Sequence, residues 1–360
     1  MRRQLRISLN NELFLNLTVK KEQIVETDQV KQIILFGGGS SLDVCAKEAV
    51  NRKYDVVVIT DKHHLSRRIN SFGTLRQNLE KENIFYVETS SLSNELLEKY
   101  VHENTIGLSI LTFWLFSEDI IKLFKGKLFN YHGARLPAER GGGTYTWKIL
   151  SQSKIGGLTI HQVGKGIDTG DIYLYQEFVF PDSCIIPQDY MDFVEEIENP
   201  LLISFLDAID NGMTLKPIPQ MDHYSLYWPL LYTPLNGLID WSWSSDDIGL
   251  FIHAFDDPYQ GASTFYGDQK VYLKKCTKIN SEGFFHPFQT GIVFRKNEGK
   301  LYIATQKGCL IVGEVFDESG ENISGKIKTG HRFFTPYVEL EKARRFKAQY
   351  GTGGLKNENQ

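Results

Sequence analysis

Residues 31–60 read KQIILFGGGSSLDVCAKEAVNRKYDVVVIT. Ile33 to Phe36 form a short apolar run bounded by glycines, the signature of a buried strand. Gly37 to Gly39 turn the chain, Ser40 or Ser41 is placed to cap a helix, and Asp55 to Thr60 return as a second strand. Gly37 and Gly39 match the start of a G-x-G-x-x-G phosphate loop, but Leu42 stands where the third glycine belongs. The stretch therefore reads as an ordinary tight strand-to-helix turn. Beyond it the alternation continues with strands at 84–88 and 106–113 and helices over SNELLEKYVHEN and SEDIIKLFKGK. Alternating strands and helices predict a doubly wound, mostly parallel sheet, whose ligands sit outside the carboxyl ends of the strands.

Two segments end at that edge. One is Phe113-Trp114-Leu115-Phe116; the other is FNYHGARLPAERGGG, residues 129–143. Residues two apart in a strand share a face, so Asn130 and His132 look into one space. The Pro and Gly residues that follow cannot continue the strand. Farther on, LTIHQVGKGIDTGDIYLYQEFVF predicts a β-hairpin with its turn over Gly164–Gly170. A helical stretch from Asp189 to Asp210 is interrupted at Pro200 and stops at Asn211-Gly212. A Pro-rich, aromatic linker follows. After it SSDDIGLFIHAF predicts a Ser-capped helix, and several short strands predict a small OB-like β-barrel. The expected organisation is an N-terminal β-hairpin extension over 1–30 and a catalytic unit over 31–220. A C-terminal barrel over 221–345 and a polar, disordered tail over 346–360 complete it.

The chain has 360 residues, enough for two domains, with 41% hydrophobic and 23% charged residues. Its net charge of -4 argues against wrapping nucleic acid, because neutralising phosphates needs a basic surface. The four cysteines, Cys45, Cys184, Cys276 and Cys309, form no C-x-x-C pair, so no metal or redox motif is expected. Scattered thiols suit a reducing compartment, most simply the cytoplasm. The N-terminus lacks the apolar run of a signal peptide, and no stretch approaches the ~20 apolar residues of a membrane span.

WLFSEDIIKLFKGKLFNYHGARLPAERG (114–141) followed by GGLTIHQVGKGIDTGDI (156–172) resembles the folate-dependent formyltransferases. That family has an N-x-H strand end, an LP-x-x-RG loop and a later D-T-G turn on a Rossmann-like core. NGLIDWSWSSDDIGLFIHAFDDPYQGASTFYG (236–267) is similar to the start of the C-terminal domain of methionyl-tRNA formyltransferases and some sugar formyltransferases. The resemblance implies transfer of a formyl group from N10-formyltetrahydrofolate to an amine. It assigns Asn130 to the oxyanion, His132 to the oxyanion or a proton, and Asp168 to orienting His132 and a water; His161 stands behind them. The donor slot would lie between Phe113, Trp114, Leu115 and Phe116 on one side and Lys165, Gly166 and Ile167 on the other. Arg135 and Arg140 are candidates for a phosphate. Gly141, Gly142, Gly143 and Thr144 would let a ligand approach the backbone closely.

Departures bear on the acceptor. Gly133-Ala134-Arg135-Leu136-Pro137 replaces the Ser-Leu-Leu-Pro of methionyl-tRNA formyltransferases, and no basic run is present there. The expected acceptor is a nucleotide-linked amino deoxysugar on the way to a surface polysaccharide such as lipopolysaccharide. The alternatives are initiator methionyl-tRNA and, from another class, folate or nucleotide binding without catalysis. Trp241 and Trp243 read as core or interface rather than a stacking platform for nucleic acid. A homodimer is what the resemblance suggests.

Overall fold

A computed structural model of the chain describes residues 30–70, 73–212, 216–279 and 282–355. The expected N-terminal hairpin lies outside the described residues. The first unit is built on a seven-stranded sheet. Its strands are β1 (Gln32–Gly37), β2 (Asp55–Thr60), β3 (Phe85–Glu88), β4 (Thr105–Ile110), β5 (Leu128–His132), β6 (Ile155–Gln162) and β7 (Ile172–Val179). Their spatial order is β7-β6-β5-β4-β1-β2-β3. The five strands from β3 to β5 are parallel, and β6 and β7 are antiparallel. The order reverses between β1 and β4, the switch point at which open sheets of this kind leave a crevice.

β1 and β4 are buried along their whole length, which is why both read as continuous apolar runs. Gly37 has φ 106, and a Cβ on it would stand 2.0 Å from the Ile110 carbonyl oxygen. The glycine is thus needed for the close packing of neighbouring strand ends. α1 (Ser40–Asn51) has Gly39 as its N-cap, so neither serine caps it. The helix starts earlier than expected, and the Ser41 hydroxyl donates instead to Glu198.

Several elements stop short of their sequence expectation. β4 ends at Ile110 because Leu111 turns to φ 55, leaving Phe113 on a loop. SNELLEKYVHEN is helical only over Asn94–Leu97. SEDIIKLFKGK is helical over α2 (Glu118–Leu123) and is ended by left-handed Lys125 and Gly126. The expected break at Pro200 separates α4 (Pro187–Ile197) from α5 (Asn199–Asp210).

The second unit begins with α6 (Ser245–Ala254), whose Ser244 cap accepts from the Asp247 N–H. Its strands β8 (Ala262–Tyr266), β9 (Gln269–Ile279), β10 (Val293–Asn297), β11 (Lys300–Ala304), β12 (Cys309–Asp317) and β13 (Phe333–Phe334) form one antiparallel sheet in the order β10-β11-β12-β9-β8-β13. The sheet curls until its edges meet through the bridge between Ile292 and Arg332. Trp241 is buried and stacks on Phe333, and Trp243 packs edge-on against Phe251, so both serve the core. No helix among the described residues is long and apolar enough to cross a membrane.

Two connecting segments depart from expectation. The linker is no passive tether: Tyr227–Trp228 pairs in parallel with Arg140–Gly141, and Ile218 bridges to Ile172 at the start of β7. The tail expected to be disordered is docked through Leu355. Tyr350–Gly351 pairs with Gly354–Leu355, and Tyr350 stacks on Phe113 with ring centroids 6.0 Å apart. The Gly351 carbonyl accepts from the Leu115 N–H at 3.0 Å, and the Thr352 carbonyl accepts from the Leu92 N–H at 2.9 Å. Backbone hydrogen bonds, which composition does not report, hold this polar segment on the strand ends.

Candidate active site

β5 delivers Asn130 and His132 to one face. Tyr131 between them points to the other face, where its hydroxyl donates to Glu198 at 2.6 Å. Antiparallel pairing with β6 sets Asn130 directly opposite His161. The hairpin turn then brings Asp168 against both histidines. Asp168 Oδ1 lies 3.3 Å from His161 Nε2, and Asp168 Oδ2 lies 3.7 Å from His132 Nδ1. Asn130 Nδ2 is 3.2 Å from His161 Nε2. The Gly141 N–H donates to Asp168 Oδ2 at 2.9 Å. His161, expected only behind the site, is therefore an equal member of the cluster. The register of β5 against β6 places it there.

The ring nitrogens can be assigned from their partners. His132 Nε2 sits 2.7 Å from the Glu139 carbonyl oxygen, and His161 Nδ1 sits 2.9 Å from the Gln162 carbonyl oxygen. A carbonyl only accepts, so both of these nitrogens carry hydrogen. The remaining nitrogens, His132 Nδ1 and His161 Nε2, converge on one carboxylate. Burial alone would raise the Asp168 carboxyl. The facing imidazoles of His132 and His161 and the Gly141 N–H outweigh it and hold the group well below the ordinary carboxylate range. Asp168 thus stays ionised as the acceptor of the cluster.

A buried ion cluster fixes the loop behind His132. Glu139 Oε1 accepts from Lys148 Nζ at 2.7 Å and from Arg135 Nη2 at 2.7 Å, and Oε2 accepts from the Arg135 N–H at 3.0 Å. Lys148 is fully buried on α3 (Thr144–Leu150) and donates also to the Ile155 carbonyl. Burial pushes the Lys148 ammonium below its ordinary value. Burial would raise Glu139, but Arg135 and Lys148 prevail and hold it low. Sequence reading missed this pair. Its signal was a lysine among apolar positions in TYTWKIL.

Three expectations change. Arg135 is bound to Glu139, and Arg140 donates to Gln220 at 2.9 Å and to Asp222 at 3.0 Å. Both phosphate candidates are therefore engaged within the chain. Gly141, Gly142 and Gly143 admit the chain's own linker: a Cβ on Gly141 would stand 2.2 Å from the Trp228 oxygen, and one on Gly142 3.1 Å from Leu230. Thr144 is the first residue of α3, capped by Gly143. In the expected donor slot, Phe113 and Leu115 are exposed, but Trp114 is buried in the core and Phe116 packs edge-on against Phe36. Only Phe113 and Leu115 can present side chains to a ligand there. The facing wall of Lys165, Gly166 and exposed Ile167 is present, and Lys165 reaches Glu118 beside the Phe113 loop at 3.0 Å.

Two family models match, "Formyl transferase" over residues 31–203 and "Formyl transferase, C-terminal domain" over residues 232–331. The chain belongs to the folate-dependent formyltransferase family. The one-carbon donor of this family is N10-formyltetrahydrofolate. The methionyl-tRNA formyltransferase of Acetivibrio thermocellus is 24% identical over 306 residues, 83% of this chain and 96% of that protein. An N-formyltransferase from Helicobacter canadensis, solved with folinic acid and dTDP-3-aminofucose, shares the fold. Its TM-score is 0.59 at 21% identity, covering 79% of this chain and 98% of that one. The sugar 3N-formyltransferase WlaRD, solved with dTDP and 5-N-formyl-THF, has a TM-score of 0.58 at 22% identity over 78% and 96% of the two chains. In this chain Asn130, His132, His161 and Asp168 meet in one cluster, with Glu139 and Lys148 behind His132.

Proposed function

We propose that this chain moves the formyl group of N10-formyltetrahydrofolate to the amine of a nucleotide-linked amino deoxysugar, in the assembly of a surface polysaccharide. The observation that carries the transfer chemistry is the convergence of His132 Nδ1, His161 Nε2 and the Gly141 N–H on the Asp168 carboxylate, with the Asn130 amide beside His161. The acceptor amine attacks the formyl carbon, and the carbonyl oxygen becomes an oxyanion. The Asn130 amide, oriented by His161, donates to it. The attacking amine gives up a proton to the His132–Asp168 pair, which returns one to the folate nitrogen as the carbon–nitrogen bond breaks. Proton count and charge are then conserved over the cycle.

The acceptor reading is supported by charge. In loop 133–145 the cations are Arg135 and Arg140, both held by partners within the chain. A tRNA needs several phosphate contacts. The sugar N-formyltransferases that share the fold supply the precedent for a small acceptor. The second reading, methionyl-tRNA formyltransferase, is favoured by a relative that aligns over 96% of its own length. Non-catalytic binding is disfavoured by the assembled cluster. An OB-like barrel, a cytoplasmic location and a homodimer belong to the same proposal.

The test offers purified protein and N10-formyltetrahydrofolate a panel of UDP-, dTDP- and GDP-linked 3- and 4-amino-6-deoxysugars, with charged initiator methionyl-tRNA in parallel. Mass spectrometry detects the added formyl group. A formylated sugar is expected. A formylated tRNA alone overturns the acceptor, and no product with any acceptor overturns the activity.

A further inference from the structure

We infer that Gln220, in the segment joining the two units, is a positioning residue for the reaction; the inference rests on the catalytic reading of Asp168. Asp168 is a non-glycine residue at φ 52, a left-handed conformation that L side chains seldom hold without support. Its side chain meets His132, His161 and the Gly141 N–H, but none of these fixes its backbone. Gln220 does. Its Nε2 donates to the Asp168 carbonyl at 2.8 Å and to the Gly170 carbonyl at 2.6 Å, clamping both sides of the turn.

The orientation of that amide follows from its partners. Gln220 Oε1 accepts from Arg140 Nε at 2.9 Å, and a guanidinium only donates. The two carbonyls only accept, so Nε2 must face them. Arg140 is itself buried, adjoins Gly141, and donates to Asp222 at 3.0 Å. One connected run therefore leads from the Arg140-Gly141 corner through Gln220 to the carbonyl of Asp168, while the Gly141 N–H holds the carboxylate of the same residue. The pairing of Ile218 with Ile172 brings Gln220 to this place. The joining segment thus completes the catalytic turn, and Asp168 is held at its backbone and its side chain by neighbouring parts of one corner.

Displacement of a catalytic group by about 1 Å can cost on the order of 100-fold in rate. Three variants separate positioning from packing. Gln220→Met keeps the volume and loses all three hydrogen bonds. Gln220→Glu keeps the acceptor for Arg140 and turns a carboxylate toward two carbonyls. Gln220→Ala removes the side chain. Each is assayed with N10-formyltetrahydrofolate and the acceptor that the wild-type protein formylates in the panel above, with melting temperature in parallel. The inference expects kcat to fall about 10- to 100-fold in all three, with KM for both substrates within about threefold of wild type. It also expects the loss of kcat not to follow melting temperature: Gln220→Glu keeps its pairing with Arg140 and should melt above Gln220→Ala, yet lose as much kcat. Wild-type kcat in Gln220→Glu would overturn the inference, because only the bond to Arg140 would then matter. A loss confined to KM, or one that tracks melting temperature across the series, would also overturn it. Those results leave the activity itself standing. An inactive wild-type protein overturns the catalytic reading of Asp168 and the role of Gln220 with it.

Discussion

Glu139→Gln is expected to cost more stability than any other single isosteric change in the catalytic loop. Lys148 is fully buried, and its ammonium is met by Glu139 Oε1 at 2.7 Å and the Ile155 carbonyl at 2.6 Å. The glutamine keeps an oxygen near Lys148 but removes the counter-charge. Removing one partner of a buried ion pair costs about 3–5 kcal/mol. For a domain of this size that lowers the melting temperature by roughly 6–20 °C. Lys148→Met removes the buried charge, and Glu139 keeps Arg135. Its cost is about 1–2 kcal/mol, set by the unsatisfied Ile155 carbonyl. The double variant Glu139→Gln/Lys148→Met should regain about 1 kcal/mol over Glu139→Gln alone, a coupling of about 2–3 kcal/mol, the size neighbours show. The pH dependence has a definite sign. An unfolded lysine keeps its proton up to about pH 10.4, whereas native Lys148 is held below that. Between the two values the unfolded chain binds more protons, so stability rises with pH. With Glu139 neutralised Lys148 loses its counter-charge, so that window opens at lower pH and the deficit narrows as pH rises toward the unfolded value. Thermal and urea unfolding followed by circular dichroism measure all four proteins. A Glu139→Gln cost below about 1 kcal/mol, or a double variant that is merely additive within about 0.5 kcal/mol, would refute the reasoning.

Asp168→Asn is expected to lower kcat by about 10²- to 10⁴-fold, the range of a lost acid–base partner, as read by single-turnover formyl transfer. Asp168 is held low in the native state, so its stabilisation is complete above the unfolded value near 3.9 and is lost as pH falls through the native value. The asparagine variant should therefore show a flatter acid limb in urea titrations below about pH 4. Gly141→Ala is expected to destabilise by about 1–3 kcal/mol and to lower kcat. Its Cβ meets the Trp228 oxygen at 2.2 Å with φ at +98°, and the Gly141 N–H on Asp168 is displaced. Unfolding and rate measurements check both, and a wild-type kcat would count against the Gly141–Asp168 contact. Ending the chain after Lys347 removes the Tyr350 stack and frees the Leu115 N–H. If that loop holds the donor, folinic acid should bind about fivefold more tightly by calorimetry, the worth of one hydrogen bond; weaker or unchanged binding sinks the idea.

Local pattern was enough for the architecture and for the shared face of Asn130 and His132, and resemblance added Asp168. The apolar runs at Ile33–Phe36 and Val56–Ile59, separated by a glycine turn and a helical stretch, permit little besides a β-α-β unit. Two-residue periodicity was enough to put Asn130 and His132 on one face. These are local properties, decided by a few neighbouring residues. Tertiary structure decided what depends on register and long-range contact. His161 and Asn130, 31 residues apart, meet because β5 and β6 pair antiparallel in one register, and a slip of one residue would turn His161 away. The glycines at 141–143 looked like room for a ligand, yet the space is filled by Trp228 to Leu231, whose path no local pattern announces. Arg135 and Arg140 carry charges that sequence can count, but their partners, Glu139, Gln220 and Asp222, were set by folding. The polar tail has too little apolar surface to be recognised as ordered. It docks through backbone groups of the Leu92 and Leu115 loops, which every residue but proline possesses and no side-chain pattern reports.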